Sequence, residues 1–202
     1  MRWRIGVILI GWSLAVEAVA GPILPKNLVV SIGGGGGLLA IGSNSGPFAA
    51  HALWSSAVRF SFGYALGEHF SIGGHYARIG SVVHPVLDRV RFTNYLVEGT
   101  YRIHNGEAGV LETAIGFGPQ IGTLRPANVS LPYDLRGLAI NGGVRYLHSI
   151  TAGLGLSVAF DHIQAFTSDV TFAGDPLLTG NGDRSFVFWN STRITASMFF
   201  KF

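Results

Sequence analysis

The sequence predicts an all-β fold, an eight-stranded antiparallel up-and-down transmembrane β-barrel. Three observations predict it. The composition is too apolar and too poor in charge for an ordinary water-soluble domain. Past residue 20, no apolar run is long enough for a membrane-spanning helix. Apolar and polar residues alternate along eight segments, parted by connections that are short and long in turn. Without helices, a chain crosses hydrocarbon only as a closed barrel, because backbone N–H and C=O groups find no other partners there.

Composition sets the bounds. The chain has 202 residues, a length that suits one domain. Hydrophobic residues make up 48% and charged residues 12%, against roughly 25% charged in a soluble domain. An apolar surface turned to lipid accounts for that balance. The net charge of +3 is small and no basic run occurs, which argues against a nucleic-acid partner. The absence of cysteine excludes a disulfide framework and a thiolate metal site. The seven histidines show no ligand spacing, so no metal and no other cofactor is expected.

The first element is a cleaved signal peptide over residues 1–20. Arg2 and Arg4 give a positive start, Ile5 to Val16 an apolar core, and Ala18-Val19-Ala20 the small-x-small site, with the cut before Gly21. A transmembrane anchor fits less well, because the core is short and Glu17 interrupts it. The barrel domain then covers residues 21–202.

Three connections read as short turns: Leu66-Gly67-Glu68-His69, His104-Asn105-Gly106-Glu107 and Leu147-His148-Ser149-Ile150. Asn105-Gly106 is the strongest, since both residues tolerate positive φ. Four longer connections, near 42–52, 80–91, 122–134 and 165–185, hold Pro47, Pro85, Pro126, Pro132 and Pro176. The strands between them are roughly 27–41, 53–66, 69–79, 92–103, 108–121, 135–147, 150–163 and 186–202. Each meets the ~9–11 residues that a tilted spanning strand needs. Short turns on one side and long loops on the other form the outer-membrane pattern.

Period two assigns the faces. In the eighth strand Phe186, Phe188, Ile194, Met198 and Phe200 share one parity, and Ser191, Arg193, Thr195, Ser197 and Lys201 share the other. The same split sets Val58, Phe60 and Phe62 against Arg59, Ser61 and Gly63. It sets Tyr95, Val97 and Tyr101 against Asn94, Glu98 and Arg102, and Ile115 and Phe117 against Glu112 and Gln120. In the seventh strand it sets Leu156, Val158 and Phe160 against Ser157 and Asp161. The greasy set faces lipid and the polar set the lumen, since an arginine or lysine facing lipid at mid-depth costs about 2–4 kcal/mol. Arg78, Arg136 and His162 break the parity and are assigned to the outer strand ends. Trp54, Trp189, Tyr76, Tyr146 and Phe202 are assigned to the two membrane interfaces.

The chain ends Ile194-Thr195-Ala196-Ser197-Met198-Phe199-Phe200-Lys201-Phe202. A terminal Phe preceded by apolar residues at alternate positions (Ile194, Ala196, Met198, Phe200, Phe202) resembles the signal read by the barrel assembly machinery. With the N-terminal segment, the chain resembles the small eight-stranded outer-membrane proteins of the OmpA, OmpX, OmpW and opacity-protein type. That resemblance implies an outer-membrane location, contact with its lipid, and structural, adhesive or narrow-channel roles. It carries over no catalytic residue.

Arg59, His75, Glu98, Arg102, Glu112, Arg145 and Arg193 form the candidate lumen set. They are expected to make one buried, roughly neutral ion-pair network, since eight strands leave room only for side chains to fill the tube. A structural plug is the first reading, and a gated ion path the second. The five-glycine run Gly33–Gly37 lacks the Gly-Lys-Ser/Thr of a phosphate loop. It reads instead as a bend in strand one, or a place where bulky lumen groups come close. His148 and Ser149 are faintly similar to the His-x-Ser segment of lipid A deacylases. They are adjacent, however, and adjacent strand residues point to opposite faces, so a base and a nucleophile would not meet. No enzyme is expected. The long loops remain candidates for an extracellular ligand.

Overall fold

The computed structural model describes residues 28–44, 51–81, 87–106, 109–127 and 129–202. The signal peptide with Ala18, Ala20 and Gly21, and also Pro47, His84 and Pro85, lie outside the described residues. The strands are β1 (Leu28–Ser43), β2 (His51–Ala65), β3 (Phe70–Ser81), β4 (Leu87–Gly106) and β5 (Gly109–Pro126). They continue with β6 (Tyr133–Ser149), β7 (Leu154–Phe172), the two-residue β8 (Asp175–Pro176) and β9 (Val187–Lys201). Every long strand pairs antiparallel with its sequence neighbour, β7 pairs with β9, and β1 pairs with β9 to close the ring. Closure leaves the eight long strands no free edge.

The sense of the barrel is inside-out at the end with the short turns. Ile115, Phe117 and Leu138 are each 68% exposed, while Arg59, Glu98, Asp161 and Arg193 are buried. Side chains this greasy ring the whole wall, far beyond the apolar patch a water-soluble monomer exposes. Only acyl chains satisfy such a surface.

Toward the other end the sense reverses. On β4, Leu87, Val90 and Phe92 are buried in the lumen while Arg89 and Arg91 are exposed. On β6, Tyr133 and Leu135 point in while Asp134 and Arg136 point out. Backbone pairing continues through this change, with register shifts between Leu87 and Arg89 and between Arg136 and Gly137, so the strands rise out of the membrane as an ordinary polar-out barrel. For this reason the long connections expected from sequence are shorter. β4 begins at Leu87, β5 runs to Pro126, β6 begins at Tyr133 and β7 reaches Phe172. Asp175, expected in a loop, lies in β8, which pairs back onto β7. Polar and Pro-bearing stretches read as loops because the outward face is polar above the lipid.

Two short turns also shift. Asn105 and Gly106 are the last paired residues of β4, opposite Val110 and Gly109, and a register irregularity lies between Arg102 and His104. The connection is therefore at 107–108, outside the described residues. The third turn lies after Ser149 rather than at His148-Ser149, and Thr151 Oγ1 accepts from the backbone N–H groups of Gly153 and Leu154 there. A side chain that caps its own turn supplies the local stop that selects this position.

Gly33, Gly35 and Gly37 turn inward from β1 and explain the glycine run. A Cβ on them would collide with the β9 backbone at Ala196, Ile194 and Thr192. What approaches is thus the closing strand itself, more than bulky lumen side chains.

Candidate functional site

The lumen has three layers. The middle layer is a charged network built on seven strands. Arg59 on β2 meets Asp161 on β7 at 2.8 Å and Glu98 on β4 at 3.8 Å. Arg193 on β9 also reaches Asp161, at 3.8 Å. Asp161 and Arg193 are direct cross-strand partners. Glu98 accepts from Arg145 on β6 at 2.7 Å, and His75 Nδ1 on β3 lies 2.9 Å from its other oxygen. Asn141 Nδ2 is 3.4 Å from that same oxygen. His75 Nε2 lies 3.4 Å from Arg193 Nη2, a pure donor. One neutral tautomer fits both contacts, with Nδ1–H donating to Glu98 and Nε2 accepting from Arg193. Toward the short turns, Glu112 on β5 bridges Arg145 at 3.7 Å and Arg102 at 3.5 Å.

All seven residues singled out from sequence therefore lie in one connected cluster. Asp161 is the member missing from that set. Its inward parity and its place opposite Arg193 were the available signals. The ion-pair network sets four arginines (Arg59, Arg102, Arg145, Arg193) against Glu98, Glu112 and Asp161. Lys201, buried nearby but outside these pairs, brings the lumen cations among the described residues to five. Buried guanidinium nitrogens of Arg59, Arg145 and Arg193 lack hydrogen-bond partners.

The outer layer is an apolar plug. Leu39, Ile41, Leu53, Phe92, Leu124 and Leu135 meet Ile163, Val187 and Trp189 in one buried cluster. Trp189 stacks on Phe92 with ring centroids 4.4 Å apart. This corrects the interfacial assignment of Trp189, whose odd number already placed it on the lumen parity of β9. Trp54, Tyr146 and Phe202 are exposed on the outer wall, and Tyr76 packs there against Tyr95. Arg78 and Arg136 are exposed near the outer ends of β3 and β6. His162 is not near an outer end. It is the lipid-side neighbour of Asp161 at mid-strand, and its Nδ1 lies 2.8 Å from Thr192 Oγ1. That bond occupies one ring nitrogen where water is scarce.

The innermost layer is a small apolar cluster of Val110, Leu147 and Phe199 beside a vestibule at the short-turn end whose wall mixes apolar, hydroxyl and charged side chains. Among the described residues, no group of three or more His, Asp or Glu could hold a metal ion.

No family model matches the sequence, and no curated protein does. Solved structures match over nearly the whole chain. The Neisserial surface protein NspA aligns at 12% identity with a TM-score of 0.54, covering 87% of this chain and 97% of its own. Ail, the attachment invasion locus protein of Yersinia pestis, aligns at 12% identity with a TM-score of 0.51, covering 88% and 100%. The chain has the fold of a small outer-membrane β-barrel. At this identity the likeness speaks for architecture and not for a shared ligand. In outer-membrane barrels the short turns lie on the periplasmic side and the longer connections outside the cell.

Proposed function

We propose that the protein is a sealed outer-membrane barrel whose extramembrane rim serves as a surface for interaction outside the cell. The carrying observation is the apolar plug in the outer half of the lumen. A path for ions needs polar groups or water along its length, and in this half packed Leu, Ile, Phe and Trp side chains surround the few buried polar groups, of which Thr167 and Gln120 hydrogen-bond to each other. The charged layer beneath it then acts as internal bracing. The rim extends the strands beyond the lipid and ends in the β7–β8 hairpin, a rigid mount for recognition. Among the described residues the rim exposes Arg89, Arg91 and Arg136 beside Asp88 and Asp134, a mixed-charge face that names no single ligand.

The lipid-facing row Ile194, Ala196, Met198, Phe200 and Phe202 on and just past β9 supports delivery by the barrel assembly machinery. Export through a cleaved leader over residues 1–20 completes this reading. Planar-bilayer recording of the refolded chain is the deciding experiment. No single-channel events are expected from the wild type at up to 100 mV. Reproducible conductance steps, altered in Glu98→Ala or Arg193→Ala, would replace this reading with a narrow channel.

A further inference from the structure

The lumen carries two more positive than negative charges among the described residues. This inference rests on the sealed barrel proposed above, which leaves the short-turn end as the side from which a compensating anion enters. The cavity at that end encloses about 770 Å³ of space not filled by atoms, part of it open to the mouth. Arg102, Arg145 and Lys201 line it together with Glu98 and Glu112, and Ser31, Ser61, Ser71 and Ser157 add hydroxyls.

Lys201 is the odd group in this set. It is only 8% exposed. Its Nζ donates to Ser149 Oγ at 2.7 Å and lies 5.3 Å from the centre of the Phe199 ring. It has no carboxylate partner among the described residues. The two acids nearest the mouth are already engaged, Glu112 by Arg102 and Arg145, and Glu98 by Arg145, His75 and Arg59. Glu112 acts on it only at longer range, and a buried ammonium without a close counter-charge is expensive. The buried Nε of Arg145, on the same cavity wall, also lacks a partner.

We propose that this vestibule binds one small oxyanion, a phosphate group, between Lys201, Arg145 and Arg102. Three donors of two kinds suit a phosphate, guanidinium forks taking oxygens pairwise and the ammonium acting as a point charge. The group could arrive as a soluble anion or on a phospholipid headgroup at the mouth.

The test starts with the refolded full-length chain in nonionic detergent at low chloride. Isothermal titration with inorganic phosphate should give one saturable site per chain. Lys201→Gln should weaken it at least tenfold, Lys201→Arg should stay within about threefold of wild type, and Arg91→Gln on the outer wall should change nothing. A second measurement needs no variant. The sequence contains only two lysines, Lys26 and Lys201. Phosphate should slow amine acylation at Lys201 and leave Lys26 unaffected. Repeating the titration in phosphatidylglycerol nanodiscs separates the sources. Loss of phosphate binding there identifies the headgroup as the natural occupant, and retention identifies a soluble anion. No saturable binding in detergent, or equal protection of both lysines, would overturn the proposal.

Discussion

Glu98 shows how a single side chain is fixed by its surroundings. Its two oxygens serve Arg145, His75, Asn141 and, at longer range, Arg59. Removing it leaves buried cations facing one another, and breaking such a pair costs about 3–5 kcal/mol. Glu98→Ala is therefore expected to lower unfolding stability by that amount, read from urea titration of the folded barrel in detergent. Glu98→Gln should lose less, because the amide oxygen still accepts from Arg145. A loss below about 1 kcal/mol for the alanine variant would mean that water already carries these contacts. The position of Glu98 in the lumen could be read from the parity of Tyr95, Val97 and Tyr101 around it. That Arg59, His75 and Arg145 share its network was expected, but which atom meets which was not legible, since Arg59 and Arg145 lie on strands distant in sequence.

At the scale of the element, each strand passes through two solvents. β5 turns Ile115 and Phe117 to lipid and, eight residues on, Thr123 and Arg125 to water. Arg125 ion-pairs there with Asp88 on β4. Ile115→Arg should cost about 2–4 kcal/mol and Thr123→Arg about 0–1 kcal/mol, following the depth of each site. Matched unfolding titrations of the two variants in lipid vesicles check this. Similar losses at both sites would mean that the lipid boundary lies elsewhere. The alternation itself was plain in the sequence. The reversal of sense along one strand was not, because the pattern of polar residues above the lipid matches that of a loop. Arg78 and Arg136 were its trace, two arginines on the greasy parity.

For the whole molecule, the barrel is a tube with a greasy stopper, a charged waist and a basic periplasmic mouth. The stopper has consequences for stability as well as for conduction. Trp189 is 1% exposed and stacked on Phe92, so Trp189→Ala should cost about 3–5 kcal/mol through the cavity it leaves. The measured quantity is the shift in the temperature at which the compact band on a heat-modifiability gel is lost. If Trp189→Ala and wild type convert at the same temperature, the outer lumen is wet and the sealed-barrel reading fails with it.

The sequence by itself determined the number of spanning strands, the face each presents to lipid in its lower half, and the charged residues that turn inward. Those follow from period two and from the cost of charge in hydrocarbon, which are local properties. Only the tertiary structure decided where the strands end, that Asp161 completes the network, that Trp189 stacks on Phe92 inside the tube, and that the lumen is left positively charged. Each of these depends on which residues of distant strands meet across the barrel axis, and shear and register, not local alternation, set that meeting.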